Sequence, residues 1–249
     1  MKEKVIEDAE ETPLTEEEAK EYRSLGMRAA YVGQDRPDLQ RATREIAKGL
    51  QSPTTRHQQL LKRLSRYLRK VPRVAQRFVN QRSFGKLTGW SDTDHAGCIR
   101  TRKSTSGGAV QAGKNTLLTY CRGQAVVALA SGEAGYYGLV SMASELLGMQ
   151  SACKDFGMHV SLEAYLDAST GIAIGSRQGL GKVKHIDTVF LRVQDLTRAG
   201  KLQVRKKHTT EMLADFLTKP TSDAVIRKCM AGLGFDVLEG RHDLAYKTA

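Results

Sequence analysis

The sequence predicts an α/β protein: a mixed β-sheet flanked by helices, preceded by a small helical module. Three observations lead there. Apolar residues recur at helical spacing up to about residue 70. Short alternating runs with glycine-bearing turns then form a meander, and after it strands alternate with amphipathic helices. That order of elements implies a sheet with helices packed on its faces.

Taken in order, residues 1–14 are expected to be a flexible leader, followed by a basic helical module over 15–73. Thr15 heads a Thr-Glu-Glu-Glu opening with Glu18 at the capping-box position, which starts a helix over 15–31. A second helix covers 38–50. A third covers 57–70, with Leu60, Leu61, Leu64, Tyr67, Leu68 and Val71 on one face and Lys62, Arg63, Arg66 and Arg69 on the other. Pro72 closes it.

The sheet domain is expected over 74–221. Residues 77–81 and 85–92 read as strands, and 107–112 and 116–121 as a hairpin around Gly113-Lys114-Asn115. Residues 132–150 form a helix with Tyr136, Leu139, Val140, Ala143, Leu146 and Leu147 inward. The strand at 161–167 alternates Leu162, Ala164 and Leu166 against Ser161, Glu163, Tyr165 and Asp167. A short helix begins near Ser169, and an amphipathic one spans 185–199 with Ile186, Val189, Phe190, Val193 and Leu196 inward. A strand at 201–207 and a short helix at 211–218, ended by Pro220, complete the domain. Residues 222–249 are expected to be a final helix and tail.

Composition narrows the functions available. The net charge is +12, and it is concentrated: residues 36–82 carry thirteen Lys/Arg against two acidic residues, whereas the first 22 residues carry nine Asp/Glu against three Lys/Arg. A basic block of this kind points to a polyanionic partner, because each phosphate neutralised releases counterions. No apolar run is long enough to span a bilayer and the first twelve residues hold no signal-peptide core, so a membrane role and secretion are not expected. Cys98, Cys121, Cys153 and Cys229 lie far apart with no CxxC pair, which argues against a zinc site or a disulfide framework.

Carboxylates fall at telling places in this order. Asp92 ends the first strong strand, Asp167 ends the alternating strand, and Asp215 sits in the short helix after the last strand. Carboxylates from separate elements can converge on the carboxyl edge of a sheet. Hard divalent cations take such ligands, and two magnesium ions about 4 Å apart can hold the attacking water and leaving oxygen of a phosphodiester. Asp94, two residues after Asp92, is read as a turn former rather than a ligand.

The runs Trp90-Ser91-Asp92-Thr93-Asp94-His95-Ala96-Gly97 and Thr101-Arg102-Lys103-Ser104-Thr105-Ser106-Gly107-Gly108 resemble the YSDADWAG…TRRSTSG signature of copia-type retrotransposon ribonuclease H. Ala130-Ser131-Gly132-Glu133-Ala134-Gly135-Tyr136-Tyr137 resembles that family's SSTEAEY. Leu166-Asp167-Ala168-Ser169-Thr170-Gly171-Ile172-Ala173 resembles its CDNQSAIA, and Lys184-His185-Ile186-Asp187 its KHID. Leu213-Ala214-Asp215-Phe216-Leu217-Thr218-Lys219-Pro220 resembles its LADILTKP. Upstream, Tyr22-Arg23-Ser24-Leu25, Arg36-Pro37-Asp38 and Arg63-Leu64-Ser65-Arg66-Tyr67-Leu68 resemble the helical connection between reverse transcriptase and ribonuclease H. The resemblance covers about residues 14–235 in order. The polymerase YxDD motif is absent, so the chain is expected to be the carboxyl-terminal piece of a Pol polyprotein or a remnant of one.

The resemblance implies an RNase H-like fold and hydrolysis of the RNA strand of an RNA–DNA hybrid. It implies two magnesium ions, with manganese as the alternative, held by Asp92, Asp167 and Asp215. The implied partners are the hybrid and the reverse transcriptase region of the same polyprotein, in a cytoplasmic virus-like particle or the nucleus. Lys184, Arg205, Lys206, Lys207 and His208 are the candidate nucleic-acid contacts. The family's helix-borne glutamate, the second acid of SSTEAEY, falls on Gly135, and the Asn of its CDN motif falls on Ala168. Glu133 is retained, but two residues along a helix turn a side chain by about 200°. A catalytically decayed nucleic-acid-binding module is therefore the alternative. His95 replaces the family's tryptophan and reads as a turn residue, His185 as a helix cap, and Trp90 as core.

Overall fold

The computed structural model describes residues 11–98, 100–167, 169–176 and 191–240. Two compact units divide them, one running to Gln76 and resuming at Phe235, the other spanning Arg77–Gly234.

The first unit opens with α1 (Glu16–Val32), where the capping box forms: Glu18 N donates to Thr15 Oγ1 at 3.4 Å and Thr15 N to Glu18 Oε2 at 3.0 Å. Helices α2 (Pro37–Ala47) and α3 (Thr55–Lys70) follow. Leu61, Leu64 and Val71 are buried, and Leu60, Tyr67 and Leu68 pack beside Tyr22, Leu39 and Ile46, so the apolar stripe read from the sequence is the buried one. Lys62, Arg63, Arg66 and Arg69 are exposed on the other side of α3. Polar ties lock the packing. Tyr22 Oη donates to Ile46 O at 2.5 Å, and Arg36 grips Asp38 through Nε (2.9 Å) and Nη2 (2.7 Å) while Nη2 reaches Val71 O. Strand β1 (Arg73–Gln76) pairs antiparallel with the last strand of the chain, Phe235–Leu238.

The second unit holds a five-stranded mixed sheet. Strands β2 (Lys86–Asp94), β3 (Thr105–Ala112) and β4 (Asn115–Gly123) form the antiparallel meander. Helix α4 (Ser131–Asp155) leads to β5 (Ser161–Leu166), which lies parallel to β2. Helices α5 (Ser169–Ser176) and α6 (Arg192–Arg198) precede β6 (Leu202–Lys206), parallel to β5. Helix α7 (Asp223–Gly232) ends the unit, and β7 is the Phe235–Leu238 strand of the first. The sheet order β4-β3-β2-β5-β6 makes β2 the central strand. This is an α/β arrangement consistent with an RNase H-like fold.

Helix α4 crosses the sheet with Tyr136, Leu139, Met142, Ala143 and Leu146 buried against Leu87, Val110, Leu162 and Ala164. Val140 and Leu147, expected inward, are only partly buried and pack at the margin. Small residues let the helix come close. A Cβ on Gly89 would lie 2.4 Å from Met142 Sδ, and one on Gly138 would lie 2.5 Å from Thr93 Cγ2.

The structure departs from expectation at several elements. Residues 77–81 form no strand, because side-chain amides replace the ladder: Asn115 Oδ1 accepts from Val79 N (2.7 Å) and Asn115 Nδ2 donates to Val79 O (3.0 Å). Gln81 Nε2 likewise donates to Ala112 O at 2.7 Å. The helix expected at 211–218 is instead two single 3₁₀ turns, Thr209–Glu211 and Asp215–Leu217. Of the helix expected at 185–199, the first part lies outside the described residues, and Val193 is buried as foreseen. The terminal strand Phe235–Leu238 was not foreseen. None of the four cysteines is in a disulfide, and no described helix is long and apolar enough to cross a membrane.

Leu146 is fully buried at the centre of the helix–sheet contact. Leu146→Ala is expected to cost about 2–5 kcal/mol in chemical denaturation, and a loss under 1 kcal/mol would contradict this packing.

Candidate active site

Strand alternation sets the geometry. On β2, Gly89, Ser91 and Thr93 face α4, so Trp90, Asp92 and Asp94 face the other side of the sheet. Trp90 is partly buried there, 4.8 Å from the Tyr165 ring, with Nε1 donating to Gln111 Oε1 at 2.8 Å. Gln111 Nε2 donates to Gly232 O, and Thr116 Oγ1 donates to Leu233 O at 2.7 Å. This network ties the end of α7 to the meander.

The turn at Asp215 sits on the same face because β3 carries a glycine beneath it. A Cβ on Gly107, the residue opposite Asp92 in the ladder, would lie 2.7 Å from Thr218 Cγ2 and 2.8 Å from Leu217 Cβ. The close approach brings Thr218 and Lys219 onto Asp92. Thr218 Oγ1 donates to Asp92 Oδ2 and stands 3.0 Å from Asp215 O. Lys219 Nζ lies 2.6 Å from Asp215 Oδ1 and 3.9 Å from Asp92 Oδ2. Two aspartates from distant segments thus share one ammonium.

Asp92 is 3% exposed. Burial pushes its carboxyl up from 3.8 to about 6; the Thr218 hydrogen bond and Lys219 oppose that rise, while the charges of Asp215 and Asp167 add to it. Asp167 lies just past the end of β5, beside β2, with Oδ2 3.5 Å from Thr209 Oγ1. Burial acts to lower the Lys219 pKa, but the Asp215 hydrogen bond and the charges of Asp92, Asp215 and Asp167 outweigh it and raise the value. The ammonium therefore stays charged.

Among the described residues, no three His, Cys, Asp or Glu side chains are drawn together tightly enough to form a ready-made cation site. The donor chemistry nevertheless fits a hard divalent cation: the charges of Asp215 and Asp167 both reach Asp92, and hard cations prefer such oxygens. Asp94 has a different task. Its carboxylate folds over Gly97, where a Cβ would lie 2.0 Å from Asp94 Oδ2. His95 Nε2 sits 3.1 Å from Ala128 O, linking this turn to the segment before α4.

Helix α4 starts at Ser131, so Glu133 is in its first turn and not in an unwound segment. Its carboxylate is 2% exposed and accepts from Leu129 N at 3.0 Å and Tyr137 Oη at 2.8 Å. It closes the helix end. Gly135, also buried, brings no carboxylate, and a Cβ on Gly171 of α5 would come within 3.1 Å of its carbonyl carbon.

The basic candidates differ among themselves. Arg205 is exposed at the end of β6, with Nε 2.6 Å from Glu163 Oε1, and Glu163 also pairs with Lys86. Lys206 Nζ donates to Ser169 Oγ at 2.6 Å. Lys207 lies 3.3 Å from Glu211 and 5.4 Å over the Tyr165 ring. His208 is exposed, and its Nδ1 caps the Thr209–Glu211 turn by accepting from Thr210 N at 3.3 Å. Lys184 and His185 lie outside the described residues. Sequence reasoning passed over Thr218 and Lys219. The available signal was a hydroxyl and a cation three and four residues after the Asp215 carboxylate, read only as a helix end.

Two outcomes follow from this geometry. The folded chain keeps the Asp92 proton up to about pH 6, whereas the unfolded chain releases it near the ordinary 3.8. The folded state therefore binds more protons between those values, and stability falls as pH rises through the window. In metal-free buffer at pH 7.5, Asp92→Asn is expected to be more stable than the parent by up to about 3 kcal/mol. The gap should close by about pH 4, and equal thermal stability at pH 7.5 would contradict the burial argument. Gly107→Ala is expected to cost about 1–3 kcal/mol by overpacking the turn, measured by denaturation.

No family model matches the chain, and no solved structure matches it. Curated relatives do. The retrovirus-related Pol polyproteins from transposons RE1 and RE2 of Arabidopsis thaliana are 27% and 28% identical over 217 residues. Those matches cover 86% of this chain, which spans only 15% of the length of either relative. The secreted RxLR effector protein 161 of Plasmopara viticola is 34% identical over 110 residues, 44% of this chain and 77% of that protein. Across most of its length, then, this chain has retrovirus-related Pol polyproteins of transposons as its homologues.

Proposed function

We propose that the chain is the connection segment and ribonuclease H region of a copia-type retrotransposon Pol polyprotein, hydrolysing the RNA strand of an RNA–DNA hybrid. The observation that carries this reading is the meeting of Asp92, from the end of the central strand, with Asp215 across Thr218 and Lys219, with Asp167 close enough for its charge to be felt. Asp92, Asp167 and Asp215 would hold two magnesium ions, or manganese in their place. Bound there, such ions supply an activated water and stabilise the leaving 3′-oxygen.

The protein's own groups do the rest. Thr218 orients the Asp92 carboxylate, and burial keeps bulk water from it. Arg205, Lys206 and Lys207, at and just past the end of β6, would contact phosphates. Contacts of that kind read backbone shape and 2′-hydroxyls rather than sequence, and they weaken with salt. Lys184, outside the described residues, is proposed as a further phosphate contact, and the exposed basic face of α3 is proposed by itself as a nucleic-acid contact of the first unit. His208 caps a turn, and a role in product departure would require it to leave that cap. The reverse transcriptase region is the proposed partner, in a cytoplasmic virus-like particle or the nucleus.

One observation favours a second reading, a decayed module that binds nucleic acid without cutting. The expected glutamate is Gly135, and the acid that remains nearby, Glu133, is committed to Leu129 and Tyr137. A hybrid-cleavage assay with magnesium separates the two. The parent chain is expected to cut slowly, and Gly135→Glu to cut at least about tenfold faster, the lower end of what even a partner supporting a metal ligand contributes. Asp92→Asn is expected to abolish cutting. No cleavage by the parent alongside cleavage by Gly135→Glu would establish the decayed reading, and cleavage indifferent to Asp92→Asn would remove the site assignment.

A further inference from the structure

The cation nearest the paired aspartates is part of the chain. Lys219 Nζ is 2.6 Å from Asp215 Oδ1 and 3.9 Å from Asp92 Oδ2, so one ammonium bridges carboxylates that come from opposite ends of the second unit. The backbone fixes it there. Lys219 N stands 3.4 Å from Asp215 O, and Thr218 donates its N–H to the same carbonyl and its hydroxyl to Asp92 Oδ2. The Lys219 side chain is 37% exposed, whereas the Asp92 and Asp215 side chains are 2% and 13% exposed. The ammonium is therefore held against buried carboxylates while more than a third of the side chain meets solvent. A flexible four-carbon stem carrying a compact point charge can leave such a place by rotation alone.

We propose that Lys219 is a tethered counter-ion: it neutralises Asp92 and Asp215 when no divalent cation is present and swings outward when one enters. Cation uptake is then an exchange of one ammonium for one divalent ion, not the filling of an open site. This explains why the described carboxylates form no ready-made cation group although their donor chemistry suits one. It also makes Lys219 a positioning residue, which holds two like charges together until the ion arrives. The inference rests on the reading of Asp92 and Asp215 as cation ligands and adds the group that competes for them.

The test is titration of the full chain with manganese chloride, followed by calorimetry, for the parent, Lys219→Met and Lys219→Arg. Removing a positive charge a few ångströms from two carboxylates is expected to tighten manganese binding about tenfold or more in Lys219→Met. Lys219→Arg keeps the charge and a carboxylate-matching fork, and should bind no more tightly than the parent. Amine acetylation of the parent chain, read by mass spectrometry, needs no variant to fold. Lys219 should react faster when manganese is added, while the other lysines keep their rates. Parent binding with no gain in Lys219→Met, or with unchanged Lys219 labelling, would overturn the exchange and leave the cation site standing. No manganese binding by the parent or either variant would overturn the cation site itself, and the exchange with it.

Discussion

A buried carboxylate on the central strand is the constraint around which the second unit is arranged. Asp92 has lost nearly all contact with water, and a charge so placed is unfavourable unless other groups supply what water did. The chain supplies a hydroxyl and an ammonium, both from one turn more than a hundred residues later in sequence. Delivering that turn requires Gly107 on the neighbouring strand and the Gln111–Thr116 network that fixes the end of α7. The small residues and buried amides of this face thus serve one juxtaposition. Its energetic sense is opposite to that of a core: the folded state gives up stability at neutral pH to keep Asp92 ionised.

That trade is characteristic of sites rather than scaffolds, since perturbed ionisation concentrates where chemistry is done. On the other side of the sheet, α4 buries apolar residues with no such tension, and Glu133 there is absorbed into closing a helix end. The contrast gives each acid a distinct standing. Asp92 and Asp215 share the Lys219 ammonium, Asp167 acts on Asp92 through its charge, Asp94 shapes a turn, and Glu133 caps a helix.

Much of this was legible in the sequence, because binary patterns and cap chemistry are local. The stripe on α3, the inward face of α4 and the alternation of β5 could all be read from spacing. The misses share a cause: they depend on partners far away in the chain. The run at 77–81 reads as a strand, but the Asn115 side chain takes the backbone groups of Val79 that a neighbouring strand would have used. Strand β1 pairs with Phe235–Leu238, a partner that four residues of weak pattern do not announce. At the site, two aspartates were visible at strand ends and the third in a short helix, whereas Thr218 and Lys219 acquire their meaning only when the Asp215 turn meets β2. Glycine-for-glutamate at 135 was visible at once; that Glu133 lies in the first turn of a regular helix, bonded to Leu129 and Tyr137, needed the structure.

The central claim is that the ends of β2 and β5 and the Asp215 turn together make a cation-binding edge. Paramagnetic broadening tests it without reference to catalysis. Substoichiometric manganese added to the isotope-labelled chain should first erase the amide signals of Asp92, Asp167 and Asp215 and their immediate neighbours. Signals along the acidic first turn of α1 (Glu16, Glu17 and Glu18) should persist to higher manganese. Broadening that begins on those surface acids, or that spreads evenly over the chain, would contradict the account.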